Sequence, residues 1–426
     1  MQADCLTELL GFQGYQVTAV EAFGKRPGLC GVRLHLKRTG TDYVCGDCGR
    51  AVDPGYDHSW QEVQHLRLFQ HHTVVRFPRY RITCPVCGIR TEAVAFVQIR
   101  GPRVTRSLAA LVHELCKVMT VKAVAILQGL HPGTVKAIDR QVLEEVQADR
   151  PLDGITVLGM DEIAVGKGHR YWTMVSALEG PRGPELLNVV EGRTEQRLKR
   201  FWRWFGKERA AQITHAVIDM CRAFENSIRA HCRKKVGKTV IMAKIIYDKF
   251  HVVRQLNEAL NTVRKAELRH ALGRFRKTLA GKKFVLLARH AREALDMILA
   301  ASPRLQKAYW LKESFGHLWS YRSRTWALKF WRQWVAQLRW SRLPSYRRFV
   351  RLVERHLEGI LAFCDKKVSL GYIESANLKA RNVIRRAYGY RDQAYMKLKI
   401  IQVCTPWMND FRPWRPPAYA THSISS

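Results

Sequence analysis

Two short cysteine pairs constrain this chain more than any other feature of its sequence. Cys45-Gly46-Asp47-Cys48 and Cys84-Pro85-Val86-Cys87 have 35 residues between them, and each is trailed by a glycine, Gly49 or Gly88. Two such knuckles present four thiolates at tetrahedral spacing, the donor set of a structural Zn²⁺ closed to solvent. Four ordinary buried cysteines or a redox dithiol are the competing readings, but a redox motif needs only one pair. His58, His65, His71 and His72, which lie between the pairs, are read as surface or core residues and not as ligands. The other seven of the eleven cysteines are scattered, and an odd total suits a reducing compartment better than a disulfide framework.

The charge balance then narrows the partners. The 426 residues carry 72 Lys plus Arg against 36 Asp plus Glu, a formal +36 with a pI near 10.2. Such a surface repels itself unless a polyanion neutralises it, so nucleic acid is the first partner expected and a membrane surface the second. No uncharged apolar run reaches the ~18 residues of a membrane span, and even 236–247 is broken by Lys238 and Lys244. Met1-Gln2-Ala3-Asp4 lacks the basic and apolar regions of a signal peptide. A soluble intracellular protein of about two to four domains is expected.

Residues 1–100 read as strand-rich, with Val32-Arg33-Leu34-His35-Leu36-Lys37 as the clearest alternation. From 103 to about 148 the spacing becomes helical. There, 121–136 predicts a helix, a turn at Gly129 and a second helix opening near Pro132 or Gly133. This fits a helix-turn-helix whose second helix would turn Thr134 and Lys136 towards a major groove, although many plain helical hairpins share the pattern.

Residues 151–260 alternate strand and helix. Strands are expected over 155–160, 171–178, 185–190, 213–218 and 240–247, and Leu198, Phe201, Trp202 and Phe205 mark a buried helical face. Residues 261–365 are helical, with 23 Lys plus Arg against 7 Asp plus Glu, and hold Trp310, Trp319, Trp326, Trp331, Trp334 and Trp340. Those tryptophans are expected in a core. The basic excess could track a phosphate backbone, with Arg322, Arg324 and Lys329 as candidate contacts.

Acids at strand ends are conspicuous in so basic a chain: Asp161 after the first strand of this section, Asp219 after the fourth, Asp248 after the fifth, and Glu374 on a late helix. Carboxylates of this kind hold hard ions such as Mg²⁺, in pairs suited to in-line attack on a phosphodiester. Each alone has a plainer reading, and Asp219 would make a good N-cap for a helix over 222–231. Glu374, Asn377, Arg381 and Arg385 recur at helical spacing, so one face could offer a metal ligand followed by groups for DNA phosphates. Gly237-Lys238-Thr239 lacks the glycine a nucleotide loop needs five positions earlier, where Cys232 stands.

Together, Gly159-Met160-Asp161-Glu162, Lys167-x-His169-x-Tyr171, Val217-Ile218-Asp219-Met220, Asp248-Lys249-Phe250-His251-Val252, Glu374-Ser375-x-Asn377 and Tyr388-Gly389-Tyr390-Arg391 resemble the ISL3-family insertion-sequence transposases, over nearly the whole chain. The resemblance implies a multidomain protein: a zinc-binding β domain over 1–100, a helix-turn-helix domain over 101–150, and an α/β RNase H-like core over 151–260 and 366–405. An all-α insertion over 261–365 would interrupt the core, and a tail would occupy 406–426. It implies an Asp161, Asp219 and Glu374 triad, with Asp161 bridging two Mg²⁺ or Mn²⁺ ions and the other two holding one each. Asp248 and His251 would stand beside the triad without belonging to it. The implied partners are double-stranded DNA, as element ends and target, and further copies of the chain; no membrane is implied, and the place of work is the cytoplasm at the bacterial nucleoid. A non-catalytic zinc and helix-turn-helix regulator would explain the first 150 residues equally well, but leaves the strand-end acids without a purpose. A nuclease that cuts without joining is the third reading.

Overall fold

The computed structural model describes residues 3–24, 31–52, 55–97, 101–166, 168, 170–237, 239–270, 302–386 and 392–410. The chain forms two compact units, Met1–Arg150 with Trp407–Ser426, and Pro151–Pro406. Among the described residues no helix is long and apolar enough to cross a membrane.

The first unit opens with helix α1 (Ala3–Leu10) and strands β1 (Tyr15–Phe23), β2 (Gly31–Arg38), β3 (Tyr43–Val44), β4 (Ala51–Val52), β5 (Gly55–Leu68), β6 (His71–Cys84) and β7 (Gly88–Thr91). The main sheet runs β1-β2-β6-β5, with β7 also on β6. Alternation decides its faces: Leu34 and Leu36 of β2 are buried with Val63, Val75 and Phe77, while Arg33, His35 and Lys37 turn outward.

Three helices follow: α2 (Arg106–Val118), α3 (Val121–Gln128) and α4 (Pro132–Ala148). Each start is marked in the sequence. Thr105 and Thr120 accept from Leu108 and Ala123 backbone N–H groups, and His131 caps α4 ahead of Pro132. Gly129, at φ 63°, ends α3 in the left-handed region. Leu108, Val112, Val124, Val135 and Ile138 form their core.

The second unit is built on β8 (Val157–Gly166), β9 (Arg170–Glu179), β10 (Glu185–Glu191), β11 (His215–Ile218) and β14 (Lys244–Tyr247), in the order β10-β9-β8-β11-β14. The first three strands are antiparallel neighbours, and β11 runs parallel to both β8 and β14. Between them lie α5 (Glu195–Phe205), α6 (Lys207–Ala210), α7 (Arg222–His231) and a separate hairpin of β12 (Arg233–Val236) and β13 (Thr239–Met242). Leu198, Phe201, Trp202 and Phe205 are the buried stripe of α5, as their spacing requires.

Three expectations need correction here. The first strand does not stop at 160: β8 continues to Gly166, so Asp161 lies inside it. The run 240–247 is two strands, because 240–242 pair with β12 across a turn at Gly237 and leave Val240, Ile241 and Met242 about half exposed. Asp219 is not the N-cap of α7; Cys221 takes that position, and Asp219 Oδ1 accepts from the Cys221 N–H at 3.0 Å.

After β14, α8 (Lys249–His270) leads away from the sheet. Then come α9 (Pro303–Phe315), a 3₁₀ turn (Gly316–Ser320), α10 (Arg324–Ala336), α11 (Pro344–Arg355) and α12 (Leu357–Asp365). Their apolar faces join the cluster that covers one side of the sheet, so no break in packing separates these helices from the strands. Trp331 and Trp334 are inside and Trp319 is partly so, but Trp310, Trp326 and Trp340 are 60%, 58% and 83% exposed, against the expectation of a core. The chain returns to the sheet's other face with α13 (Gly371–Arg386) and α14 (Gln393–Cys404), where Ile373 joins Val157, Leu178, Val217 and Ile246.

Candidate catalytic site and zinc centre

In the first unit the four sulfurs of Cys45, Cys48, Cys84 and Cys87 lie within 4.8 Å of one another. Cys45 and Cys48 belong to the small β3–β4 hairpin, and the second pair turns the chain from β6 into β7. The trailing glycines explain the repeat of the motif. Gly49 and Gly88 sit at φ 71° and 73°, where a Cβ would be strained, and that turn brings each pair of sulfurs to one side. Backbone N–H groups of Val86 and Cys87 push the Cys84 thiol down to about 7, whereas Cys48 pushes its neighbour Cys87 up. Four sulfurs competing for protons at this range fit a dication, which takes all four as thiolates.

The second unit assembles its acids through strand register. Ile218 of β11 pairs with Met160 of β8 on one side and with Tyr247 of β14 on the other. The next residue on each strand is an aspartate, so Asp161, Asp219 and Asp248 form a row across three parallel strands about 4.8 Å apart. Carboxyl ends of parallel strands are the usual ligand side of an α/β sheet.

Each member of the row is held differently. Asp161 Oδ1 accepts from the Glu162 N–H at 2.8 Å, and its Oδ2 accepts from Asn377 Nδ2 at 2.5 Å. Burial raises its pKa, while His251, whose Nε2 is 4.0 Å away, opposes the rise. Asp219 is pushed up to about 6, chiefly by burial, with Glu162 and Asp161 adding and His251 opposing. Asp248 Oδ1 accepts from the Phe250 N–H at 2.8 Å and so caps α8, and its other oxygen stands 3.4 Å from His251 Nδ1. Asp248 in turn raises the pKa of His251.

Glu374 arrives from the other face of the sheet. It is exposed on the first turn of α13, three residues before Asn377. Two contacts set that helix on β8. A Cβ on Gly159 would stand 3.0 Å from Ile373 Cδ1, so glycine lets the helix sit close at this point, and Asn377 meets Asp161 one step further along. The spacings agree: four helical residues rise ~6 Å, and two strand residues advance ~6.6 Å.

A cleft of about 850 Å³ opens at the row, lined by Glu162, Asp219 and His251 together with Arg193, Arg222 and Arg254. The sequence reading missed Glu162 and these arginines. Glu162 follows Asp161 and so faces the opposite side of β8, where its carboxylate is 3.4 Å from Arg193; its place beside Asp161 in the motif was the only signal. Among the described residues, the four cysteines are the one group of three or more potential ligands drawn within 4.8 Å. The carboxylates of Asp161, Asp219 and Glu374 do not form such a group.

The expected DNA contacts divide. Arg381 and Arg385 are exposed on α13, and Thr134 and Lys136 are half-buried on α4. Asn377 does not join Arg381 and Arg385 in facing phosphates: it is 7% exposed and committed to Asp161. Arg322 and Lys329 are exposed, Lys329 lying 4.9 Å over the Trp326 ring, and Arg324 pairs with the exposed Glu358 at the surface. Lys167, His169 and 388–391 of the motifs lie outside the described residues.

A four-cysteine ribbon joined to an α/β unit with a row of acids in a basic cleft has the outline of an enzyme that works on DNA. Residues 158–400, more than half the chain, match the ISL3 DDE family model described as a transposase, and 43–87 match the zinc finger of the transposases IS204/IS1001/IS1096/IS1165. The chain is 32% identical over 405 residues to the transposase for insertion sequence element IS1001 of Bordetella parapertussis, spanning 93% of this chain and 96% of that one. It is 28% identical over 398 residues to the transposase for IS1557 of Mycobacterium tuberculosis strain ATCC 25618/H37Rv, spanning 84% and 85%. The chain belongs to the ISL3 family of insertion-sequence transposases.

Proposed function

We propose that this transposase cuts the ends of its element and joins them to target DNA in an RNase H-like core, with Asp161, Asp219 and Glu374 as the ligands of two divalent ions, Mg²⁺ or Mn²⁺. The observation that carries the reading is the register Met160–Ile218–Tyr247, which sets Asp161 and Asp219 side by side, with Asp219 in the wall of a basic cleft. The strand order, third-second-first-fourth-fifth with only the second running opposite to the rest, is the order expected of an RNase H-like sheet. Bound ions would supply charge stabilisation for the attacking and leaving oxygens of a phosphodiester. The protein's part is to hold two buried carboxylates together despite their repulsion, to aim Asp161 through Asn377, and to bring Glu374 across on α13. His251, between Asp161 and Asp248, steadies the row and is not itself a ligand.

On this reading the zinc ribbon and the α3–α4 helix-turn-helix, with Thr134 and Lys136, recognise the terminal repeats, while Arg381, Arg385, Arg322 and Lys329 meet phosphates. The protein acts as a homo-oligomer that pairs two ends at the bacterial nucleoid. Cleavage of a labelled element end in Mg²⁺ tests the site. Asp161→Asn, Asp219→Asn and Glu374→Gln should each abolish cutting and spare end binding, whereas Asp248→Asn should cost ~10 to 100-fold as a supporting group does. Normal cutting by all four variants would overturn this site, and no cutting by the wild type in Mg²⁺ would leave a DNA-binding regulator.

A further inference from the structure

Helix α11 is one-sided: Tyr346, Phe349, Val350 and Val353 are buried, while Arg347, Arg348, Arg351 and Arg355 are exposed. Two grooves follow its basic side. One, of about 560 Å³, is lined by Arg339, Arg347, Arg348 and Arg351 with Val335 and Leu338; the other, of about 700 Å³, by Arg348, Arg351, Glu354 and Arg355. Arg348 and Arg351 belong to both, so the two are one track. The same helix borders the catalytic cleft, where Leu352 lines the wall with Asp219 and His251. Arg348 and Arg355 stand four residues before and three after Leu352, on its face of the helix. Arg254 and Arg222 carry positive charge on into the cleft.

These charges are not spent inside the protein. Among the described residues none of Arg339, Arg347, Arg348, Arg351 and Arg355 makes an ion pair, and Arg347 and Arg355 bond only backbone carbonyls, of Arg339 and Arg351. From Arg347 to Arg355 the helix rises ~12 Å. One DNA strand places a phosphate about every 3.4 Å of axis, so the track matches roughly three to four successive phosphates.

We propose that the α11 track holds the backbone of one strand of duplex DNA immediately beside the phosphodiester presented to the cleft that Asp219 lines. This rests on the catalytic reading above and adds where the DNA runs. It differs from the contacts at Arg322 and Lys329, which lie on another helix or before it.

The test uses the full-length, zinc-loaded protein and a labelled duplex of element end plus flank. Binding is measured between 50 and 200 mM salt, and phosphates protected from hydroxyl radicals are mapped. For Arg348→Ala/Arg351→Ala/Arg355→Ala, three lost phosphate contacts should flatten the logarithmic salt slope by about 2.7, cutting the affinity change across that range by ~40-fold. Protection should vanish at phosphates adjoining the cleavage position, and the triple lysine variant should keep both slope and protection. If the alanine triple melts early, Arg351→Ala alone should still flatten the slope by about 0.9. An unchanged slope, or lost protection only far from the cleavage position, overturns the track. Should the wild type fail to cut in Mg²⁺ while the alanine triple loses slope and protection, the track stands and the catalytic reading falls.

Discussion

Replacing Asn377 by leucine separates the preparation of Asp161 from the stability of the fold. Asn377 is buried, and its Nδ2 donates to Asp161 Oδ2 while its own Oδ1 has no partner. A bond to an ionised carboxylate contributes about 1.5 to 3 kcal/mol, and a buried unpaired carbonyl costs about 1 to 3 kcal/mol. The two nearly cancel in the folded protein, so Asn377→Leu should melt close to the wild type. For the ion they do not cancel. Burial already raises the pKa of Asp161, and the Asn377 bond is one of the groups opposing that rise. Its loss leaves a carboxylate less ready to be charged, and if the whole 1.5 to 3 kcal/mol falls on the ionised state, Mg²⁺ binds ~10 to 150-fold more weakly. Cleavage of a labelled end with Mg²⁺ titrated at fixed DNA reads this as a midpoint displaced by that factor, with most of the rate regained at saturating metal. Arg381→Ala is the control, since it should weaken DNA binding and leave the Mg²⁺ midpoint in place. A wild-type midpoint in Asn377→Leu would refute the claim that this bond prepares Asp161; a strongly lowered melting temperature would refute the cancellation.

Purified wild type should carry one Zn²⁺ per chain, and Cys84→Ser should lose it and destabilise the ribbon, as metal analysis and limited proteolysis would report. Gly159→Val places methyl groups where Ile373 and Leu178 already stand at 3.0–3.2 Å from a Cβ, so α13 must move off β8; a loss of about 1 to 3 kcal/mol by urea unfolding and abolished cleavage are expected. His65, bonded to Thr105, has its pKa lowered to about 4 by burial. Its neutral form is favoured in the fold, so its contribution is whole above the unfolded value near 6.5 and is lost as pH falls towards 4, up to ~3 kcal/mol. Urea unfolding at pH 7 and 4.5 should show a smaller pH difference in His65→Gln than in the wild type.

Local rules made much of the molecule legible. The cysteine pairs gave the ribbon because the glycine turn is written beside each. The stripe of α5 and the threonine and proline starts of α2, α3 and α4 were equally readable. What escaped was tertiary. The alternation in 240–247 reads as one strand, yet Gly237 folds its first half into a separate hairpin whose apolar side chains stay half exposed. Trp310 and Trp326 share helices with buried residues but fall on outer faces, and Trp340 lies in the turn after α10, which composition alone does not reveal. Asn377 was legible as a member of a helix face and illegible as a partner of Asp161, because that contact spans 216 residues. The pairing of Arg324 with Glu358, on another helix, was illegible for the same reason.

The row of three aspartates also explains why register alone does not choose the second ligand. Asp219 and Asp248 are equally level with Asp161, on successive strands, and each follows a buried apolar residue. Their remaining bonds distinguish them. Asp248 is 7% exposed, spends one oxygen as the cap of α8 and turns the other towards His251 Nδ1 at 3.4 Å. Among the described residues Asp219 gives only Oδ1 to a backbone N–H, and it lines the 850 Å³ cleft directly. It sits in the short connection between β11 and α7, two elements packed into the core. On the reading proposed above Asp219 is the ligand, and Asp248 fixes the start of α8 and faces the ring of His251; cleavage by Asp219→Asn and Asp248→Asn decides between the two.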